Sequence, residues 1–424
     1  MAVTLPELSV KREFIDLKNV FPEIPKKNYL THGFDKYPAK MIPHMAKFLI
    51  QKTSSPKDTI VDPFCGSGAV VIQSILEQRN AIGIDLNPLA VLLSNAKVTP
   101  LEIYLLNNQL KDLKSQFYIC DKPYIYNFCN ADYWFTPVTI KKLGIIKTVL
   151  DRNNTDIPEK YLIFWKALFV SIIRECSKAD IRGPKPFISK RSKKSRKGKH
   201  FDPFKIFSYQ AQIWISREAE YLDVLSSQKR IPKFQIIRGD SRKISEIIGR
   251  KQVNAIITSP PYLNAQDYYR SSKFQLFFLN EFCENELKTL SREIIGSDRF
   301  LQSTVAKEMK LPFDLAEKIR LELLEVNKKN SVIFSKYISD MCQVIKQSSA
   351  LLESGSPFSI VIGDNKISNI EIPTHFLINE IFEQNEFKLE SLHSDKIRDR
   401  RLPIIRNGHS GIMKHENLLI FKKL

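Results

Sequence analysis

Thr258-Ser259-Pro260-Pro261-Tyr262 puts a hydroxyl, a backbone carbonyl and an aromatic ring into one short, stiff turn. The two prolines fix φ, so the Ser259 hydroxyl and the Pro260 carbonyl form a pair of hydrogen-bond acceptors while Tyr262 offers a face for stacking. A flat nitrogen heterocycle with an exocyclic amine fits that combination. Such an amine is a poor nucleophile, because its lone pair is delocalised into the ring. Two acceptors on its hydrogens favour a tetrahedral nitrogen as an electrophile approaches, an electrostatic effect that grows in a dry site. This chemistry needs neither a metal nor a catalytic cysteine, and Ser259, Pro260, Pro261 and Tyr262 are its candidate residues.

The turn follows the apolar run Val253-Asn254-Ala255-Ile256-Ile257, which reads as a buried strand, so the acceptors stand at a strand's carboxyl edge. A second set of residues has the spacing of a nucleoside site. Thr59-Ile60-Val61-Asp62 reads as a strand, Pro63-Phe64-Cys65-Gly66-Ser67-Gly68 as a tight glycine turn, and residues 69–79 as an amphipathic helix. Ala81-Ile82-Gly83-Ile84-Asp85 is another short apolar strand, its acid 23 positions after Asp62. Strand, glycine turn, helix and strand-end acid form the layout in which the acid accepts hydrogen bonds from ribose hydroxyls. Taken singly, a glycine turn is also simply a tight turn.

Together, DPFCGSG, GIDLNP and TSPPY resemble the S-adenosylmethionine-binding and catalytic motifs of the amino-methylating DNA methyltransferases, and the SPPY form is most typical of their N4-cytosine branch. Phe34-Asp35-Lys36-Tyr37-Pro38-Ala39-Lys40-Met41 is similar to the segment that closes over the methionine end of the cofactor in that family. Arg238-Gly239-Asp240-Ser241-Arg242 resembles its acidic turn before the catalytic strand, and His415-Glu416-Asn417-Leu418-Leu419-Ile420-Phe421 its last strand. The resemblance implies a Rossmann-like α/β fold, mostly parallel with an antiparallel edge strand and helix-rich insertions. It also implies S-adenosyl-L-methionine as cofactor. Asp85 would then hold the ribose, Asp240 the adenine amine, Phe64 the adenine face and Asp62 the methionine end, with Pro63, Gly66, Gly68 and Asn87 completing the site and Lys40 closing it or pairing at the surface. A methyl group would pass to the N4 amine of a cytosine flipped out of duplex DNA, with Tyr262 stacked on it. A restriction–modification system, with a cognate endonuclease acting on the same site, is the implied setting. Adenine-N6 methylation by the same fold is the nearest alternative; RNA guanine-N2 methylation and non-catalytic DNA binding stand further off.

Composition agrees with a nucleic-acid enzyme. Across 424 residues, 65 Lys and Arg against 46 Asp and Glu give a formal charge of +19, which favours a polyanion but also suits acidic proteins or membrane surfaces. Residues 1–14 lack a secretory apolar stretch, and the longest apolar run, 161–173, is broken by Lys166, so a buried helix and no membrane span are expected. Cys65, Cys120, Cys129, Cys176, Cys283 and Cys342 form no CxxC pair and have no histidine at a zinc-ligand spacing. Reduced thiols, no bound metal and a cytoplasmic, prokaryotic or phage-encoded enzyme follow as expectations.

The catalytic core is expected in pieces: 1–99 with the cofactor motifs, 233–262 with the catalytic turn, and 331–424 with the closing strands. Residues 100–232, largely helical and basic, are the candidate target-recognition insertion, and 263–330 a second helix-rich one. Within the first, Arg182, Lys185, Lys190, Arg191, Lys193, Lys194, Arg196, Lys197 and Lys199 occur without an acid among them, and Gly183, Pro184, Pro186 and Gly198 predict a loop that meets phosphates. A second basic cluster, Lys396, Arg398, Arg400, Arg401 and Arg406, precedes the flexible run Asn407-Gly408-His409-Ser410-Gly411.

Overall fold

The two apolar runs that lead into the motif turns lie side by side in one sheet. The computed structural model describes residues 8–25, 28–35, 37, 40–126, 130–153, 155–182, 185–196, 201–263, 268–279, 284–297, 310–397 and 414–424. Its strands in chain order are β1 (Arg12–Ile15), β2 (Thr59–Asp62), β3 (Asn80–Asp85), β4 (Phe234–Arg238), β5 (Ala255–Thr258), β6 (Pro357–Ile362), β7 (Asn365–Ile367), β8 (Ile370–Ile372), β9 (Phe387–Lys396) and β10 (His415–Lys423). Eight of these form a sheet in the order β1-β9-β10-β6-β5-β2-β3-β4, and β7 and β8 form a separate hairpin. The pairs from β6 through β5, β2 and β3 to β4 are parallel, and β10 runs antiparallel to both β6 and β9. The mostly parallel Rossmann-like sheet with antiparallel pairing toward one edge is thus present. An additional strand, β1, lies outside β9 and pairs with it in parallel.

Order and chain direction place the site. From β2 the chain moves outward to β3 and β4, then returns to build β5 and β6 on β2's other side. β2 and β5 therefore flank the point where the winding reverses, and ligands of open α/β sheets bind outside the carboxyl ends of such strands.

Helices cover the sheet. The helix Ala69–Leu76 starts at Gly68, whose φ of +84° is cheap only for glycine, and seven of its eight residues are buried. Gly83 lets this helix and the turn before it approach β3: a Cβ there would lie 2.9 Å from Val71 Cγ2 and 3.0 Å from Cys65 Sγ. Between β3 and β4 stand the helices Ile103–Ile119, Pro137–Arg152, Glu159–Cys176 and Pro203–Ser226. Glu159–Cys176 contains the long apolar run and buries eleven residues, among them Phe164, Trp165 and Phe169, so its hydrophobicity belongs to a protein core. Among the described residues no helix is long and apolar enough to cross a membrane. Phe34, the first residue of the segment 34–41, stacks on Trp214 with centroids 4.2 Å apart, which anchors the start of that segment to the helical insertion.

Two helix starts are set by their caps. The helix Pro203–Ser226 begins where the Asp202 side chain accepts the Phe204 amide and Pro203 occupies the first turn. The helix Lys328–Ser349 begins where Asn327 caps the Asn330 amide. The expected loop at 182–199 is corrected in part, since Lys190–Arg196 forms a short helix. Ser189 and Ser192 exchange side chain-to-amide bonds of 2.9 Å each at its start, and the prolines and glycines that argued for a loop lie outside it.

Candidate active site

Asp62 ends β2 and Thr258 ends β5, and Thr258 Oγ1 donates to Asp62 Oδ1 at 2.6 Å. The Phe64 amide donates to the same oxygen at 3.1 Å. The strand that carries the serine turn and the strand that carries the glycine turn are therefore joined through one buried carboxyl. One strand over, Asp85 accepts the Gly66 amide at 2.9 Å and the Asn87 amide at 2.8 Å. Burial pushes Asp62 up to about 7, with the Asp85 charge adding to it, and burial pushes Asp85 up to about 6.

These shifts have a signed consequence for stability. A carboxyl raised in the folded state costs nothing below its ordinary value near 4, costs progressively more as pH rises toward 7, and costs a constant amount above that. Asp62→Asn keeps an oxygen for Thr258 and Phe64 but removes the charge. It is expected to raise the melting temperature of the ligand-free protein at pH 8 by several degrees and to leave it nearly unchanged at pH 4.5, a difference that thermal melts at the two pH values read directly.

Lys40, Asp62, Phe64, Gly66, Asp85, Asn87, Asp240, Ser259 and Pro261 line one cleft with about 850 Å³ of empty space that includes open solvent. Pro63, Gly68, Pro260 and Tyr262 are not in its wall. The Pro63 carbonyl instead accepts from Ser241 Oγ, and Pro260 is buried. Lys40 Nζ donates to the His32 carbonyl at 2.7 Å, so it both lines the cavity and closes the segment on itself. Asn87 caps the helix Pro88–Val98 through Leu89 and donates to the Tyr37 hydroxyl at 3.1 Å. Asp240 is gripped by Arg242, whose other nitrogen reaches Asp340 at 3.0 Å. Burial works against its ionisation, yet the Arg242 side chain and amide hold it below the usual carboxylate range.

The cavity wall suits a polar, nucleoside-bearing ligand. Ser67 Oγ is buried in it without a hydrogen-bond partner among the described residues, a donor and acceptor held ready. Cys65 also lines it, but burial pushes its thiol well above the ordinary range, so the turn holds no reactive thiolate.

Other contributors had no signal in the sequence. Buried Lys97 pairs with Asp35 and donates to the Ser67 carbonyl at 2.9 Å, clamping the segment of Tyr37 and Lys40 beneath the glycine turn. At the end of the helix Glu284–Glu293, residues Glu293, Ile294 and Ile295 close one side of the cavity, and Arg242 donates to the Glu293 carbonyl at 3.1 Å. Tyr262, just beyond the wall residue Pro261, donates its hydroxyl to Glu416 Oε1 at 2.9 Å.

None of the described basic candidates is among the residues of this wall. Arg182 is bound to Asp180 through Nε at 3.0 Å and Nη2 at 2.6 Å, and the Lys185 carbonyl accepts from Arg174. Lys190, Arg191, Lys193 and Lys194 are exposed on the short helix, and Lys396 is exposed at the end of β9. Of Arg196 only the backbone is described. Lys197, Lys199, Arg398, Arg400, Arg401 and Arg406 lie outside the described residues, as do Lys36, Pro38 and Ala39 of the closing segment, the run 407–411, Cys129 and Cys283. Among the described residues no group of three or more His, Cys, Asp or Glu is placed to hold a metal.

Comparison with known proteins matches residues 6–95 to a family of N6/N4 amino-methyltransferases described as DNA methylase. The chain is 24% identical to Type II methyltransferase M.MvaI of Kocuria varians over 93% of its own length and 91% of that protein. It is 23% identical to Type II methyltransferase M.BsoBI of Geobacillus stearothermophilus, covering 94% of this chain and 86% of the relative. A 23% match to Type II methyltransferase M.MjaII of Methanocaldococcus jannaschii covers 61% and 64% respectively.

Proposed function

From a chain that belongs to the S-adenosylmethionine-dependent amino-methylating DNA methyltransferase family, we propose an enzyme that methylates the N4 amine of cytosine in duplex DNA as the modification half of a restriction–modification pair. The observation that carries this reading is the cleft shared by Ser259 and Pro261 with Asp62 and Asp85, where acceptors for an amine stand beside acceptors for a nucleoside. When bound, S-adenosylmethionine supplies an electrophilic methyl on a sulfonium. Asp85 holds the ribose hydroxyls, the orphaned Ser67 hydroxyl takes a polar partner, Phe64 packs on the adenine and Asp62 faces the methionine end. Ser259 Oγ and the Pro260 carbonyl accept the amine hydrogens, which fixes the nitrogen lone pair in line for transfer. Tyr262 stacks on the extruded ring.

Ser259 is also the ground for preferring cytosine. A serine is short and neutral, and leaves the approach to the amine to a pyrimidine edge; a longer carboxylate or amide at this position is the usual companion of adenine. Nucleoside analysis of duplex DNA methylated by the purified protein decides the matter. N4-methylcytosine supports the reading, N6-methyladenine replaces it with the adenine alternative, and methylation of RNA alone rejects DNA as substrate.

Lys190, Arg191, Lys193 and Lys194 are taken as phosphate contacts, because four exposed cations on one short helix form a local field for a polyanion. Replacing all four with glutamine is expected to weaken binding similarly on every DNA sequence and to lower the slope of log K against log salt by about 3 to 4, roughly 0.9 for each phosphate no longer neutralised. A binding titration across salt concentrations measures it. Loss of sequence preference at an unchanged slope would make the helix a base reader instead.

A further inference from the structure

Tyr262 follows β5, Glu416 lies near the start of β10, and β6 runs between them. With neighbouring strands ~4.8 Å apart, the 2.9 Å bond between Tyr262 Oη and Glu416 Oε1 closes a span of roughly 10 Å at the carboxyl edge of the sheet. Two long side chains reach toward each other across an intervening strand. The backbone around the tyrosine is held as well. Asn365 Nδ2 donates to the Leu263 carbonyl, and Gly296 packs so closely that a Cβ there would lie 3.1 Å from the Tyr262 carbonyl oxygen. The ring is half-buried against the apolar cluster that includes Ile256, Ile360 and Ile362.

Backbone, ring and hydroxyl are thus fixed by different elements, and the geometry points to Glu416 as a positioning residue that sets the plane of Tyr262 for stacking on the extruded base. This inference rests on the DNA-methylation reading above. Glu416 sits opposite Asp395 across the β9–β10 pair, and burial, with the Asp395 charge adding to it, holds its carboxyl above the ordinary range. A tyrosine fixed in advance spares the base the ordering of a free ring, so the effect belongs to extrusion and transfer rather than to cofactor binding.

The test is a double-mutant cycle on the full chain, after wild-type reactions have identified the methylated base. Tyr262→Phe and Glu416→Leu are each expected to lower kcat about tenfold, the worth of one hydrogen bond, with the KM for S-adenosylmethionine unchanged. The double variant should be no slower than either single one. Glu416→Gln, which retains an acceptor oxygen, should keep most of the activity. Fluorescence of 2-aminopurine placed next to the target base should fall in parallel with kcat. Glu416→Met serves the same cycle if the leucine variant does not fold. Losses that multiply to about a hundredfold in the double variant overturn the inference, as does a Glu416→Leu protein that melts earlier yet turns over like wild type. Absence of methylated nucleoside from the wild-type reaction rejects the DNA-methylation reading and this inference with it, whereas multiplicative losses on an active wild type reject the inference alone.

Discussion

Ser259→Ala is expected to lower kcat on duplex DNA by about two to three orders of magnitude, the usual cost of removing one preorganised polar group from the reacting centre. S-adenosylmethionine should bind with near wild-type affinity. The reasoning is local. Ser259 lies in the cavity wall one residue beyond Thr258, and the bond from Thr258 to Asp62 that joins the two strands does not involve it. Alanine therefore leaves the scaffold and the strand-end acids in place and removes the hydroxyl oxygen that we propose meets the amine as it becomes tetrahedral. An interaction that strengthens only at that stage lowers kcat and kcat/KM together when it is removed. Single-turnover transfer of tritiated methyl, alongside calorimetric titration of the cofactor, separates the two effects. A variant within about threefold of wild type in turnover would remove Ser259 from the mechanism.

Asp85→Ala is expected to weaken S-adenosylmethionine binding by about a hundredfold or more. In the folded protein its two oxygens already accept the Gly66 and Asn87 amides, so the carboxyl shapes the glycine turn and the following helix start as well as offering lone pairs to a ribose. Each bond to an ionised group contributes roughly 1.5 to 3 kcal/mol, and alanine leaves two part-buried amides without this acceptor. Asp85→Asn retains one oxygen and should fall between the two. Calorimetry on folded variants reads all three proteins; an Asp85→Ala chain that folds and binds at wild-type affinity would end the assignment.

The sequence made the turns legible because each obeys a local rule. Gly68 at a positive φ, prolines in a rigid turn and the apolar pairs Ile60-Val61 and Ile256-Ile257 constrain the backbone within a few residues. What joins those turns was not legible. The bond from Thr258 to Asp62 exists only once β2 and β5 pair, and nothing near either residue announces the other. Lys97 reads as an ordinary polar residue near a helix end, yet it is only 1% exposed, because Asp35 and the Ser67 carbonyl surround its ammonium. Glu416 looked like one polar residue in a closing strand until strand order brought Tyr262 to it. The basic stretch misled in the opposite direction: flanking glycines and prolines suggested a loop throughout, while the reciprocal Ser189 and Ser192 bonds start a helix between them.

The parallel pairing of β1 with β9, Arg12 opposite Leu392 and Ile15 opposite Asp395, bears on the chain's birth as well as its final shape. A ribosome releases β1 long before β9 exists, and β9 in turn gains its other neighbour, β10, later still. Until then the earlier strand has no edge to join, and Arg12 has no His375 to meet, a contact that closes at 2.6 Å in the finished protein. β2 and β3, neighbours in sequence as well as in the sheet, have no such wait. The opposite rim of the sheet is sealed only after β9 has followed about 370 residues behind β1.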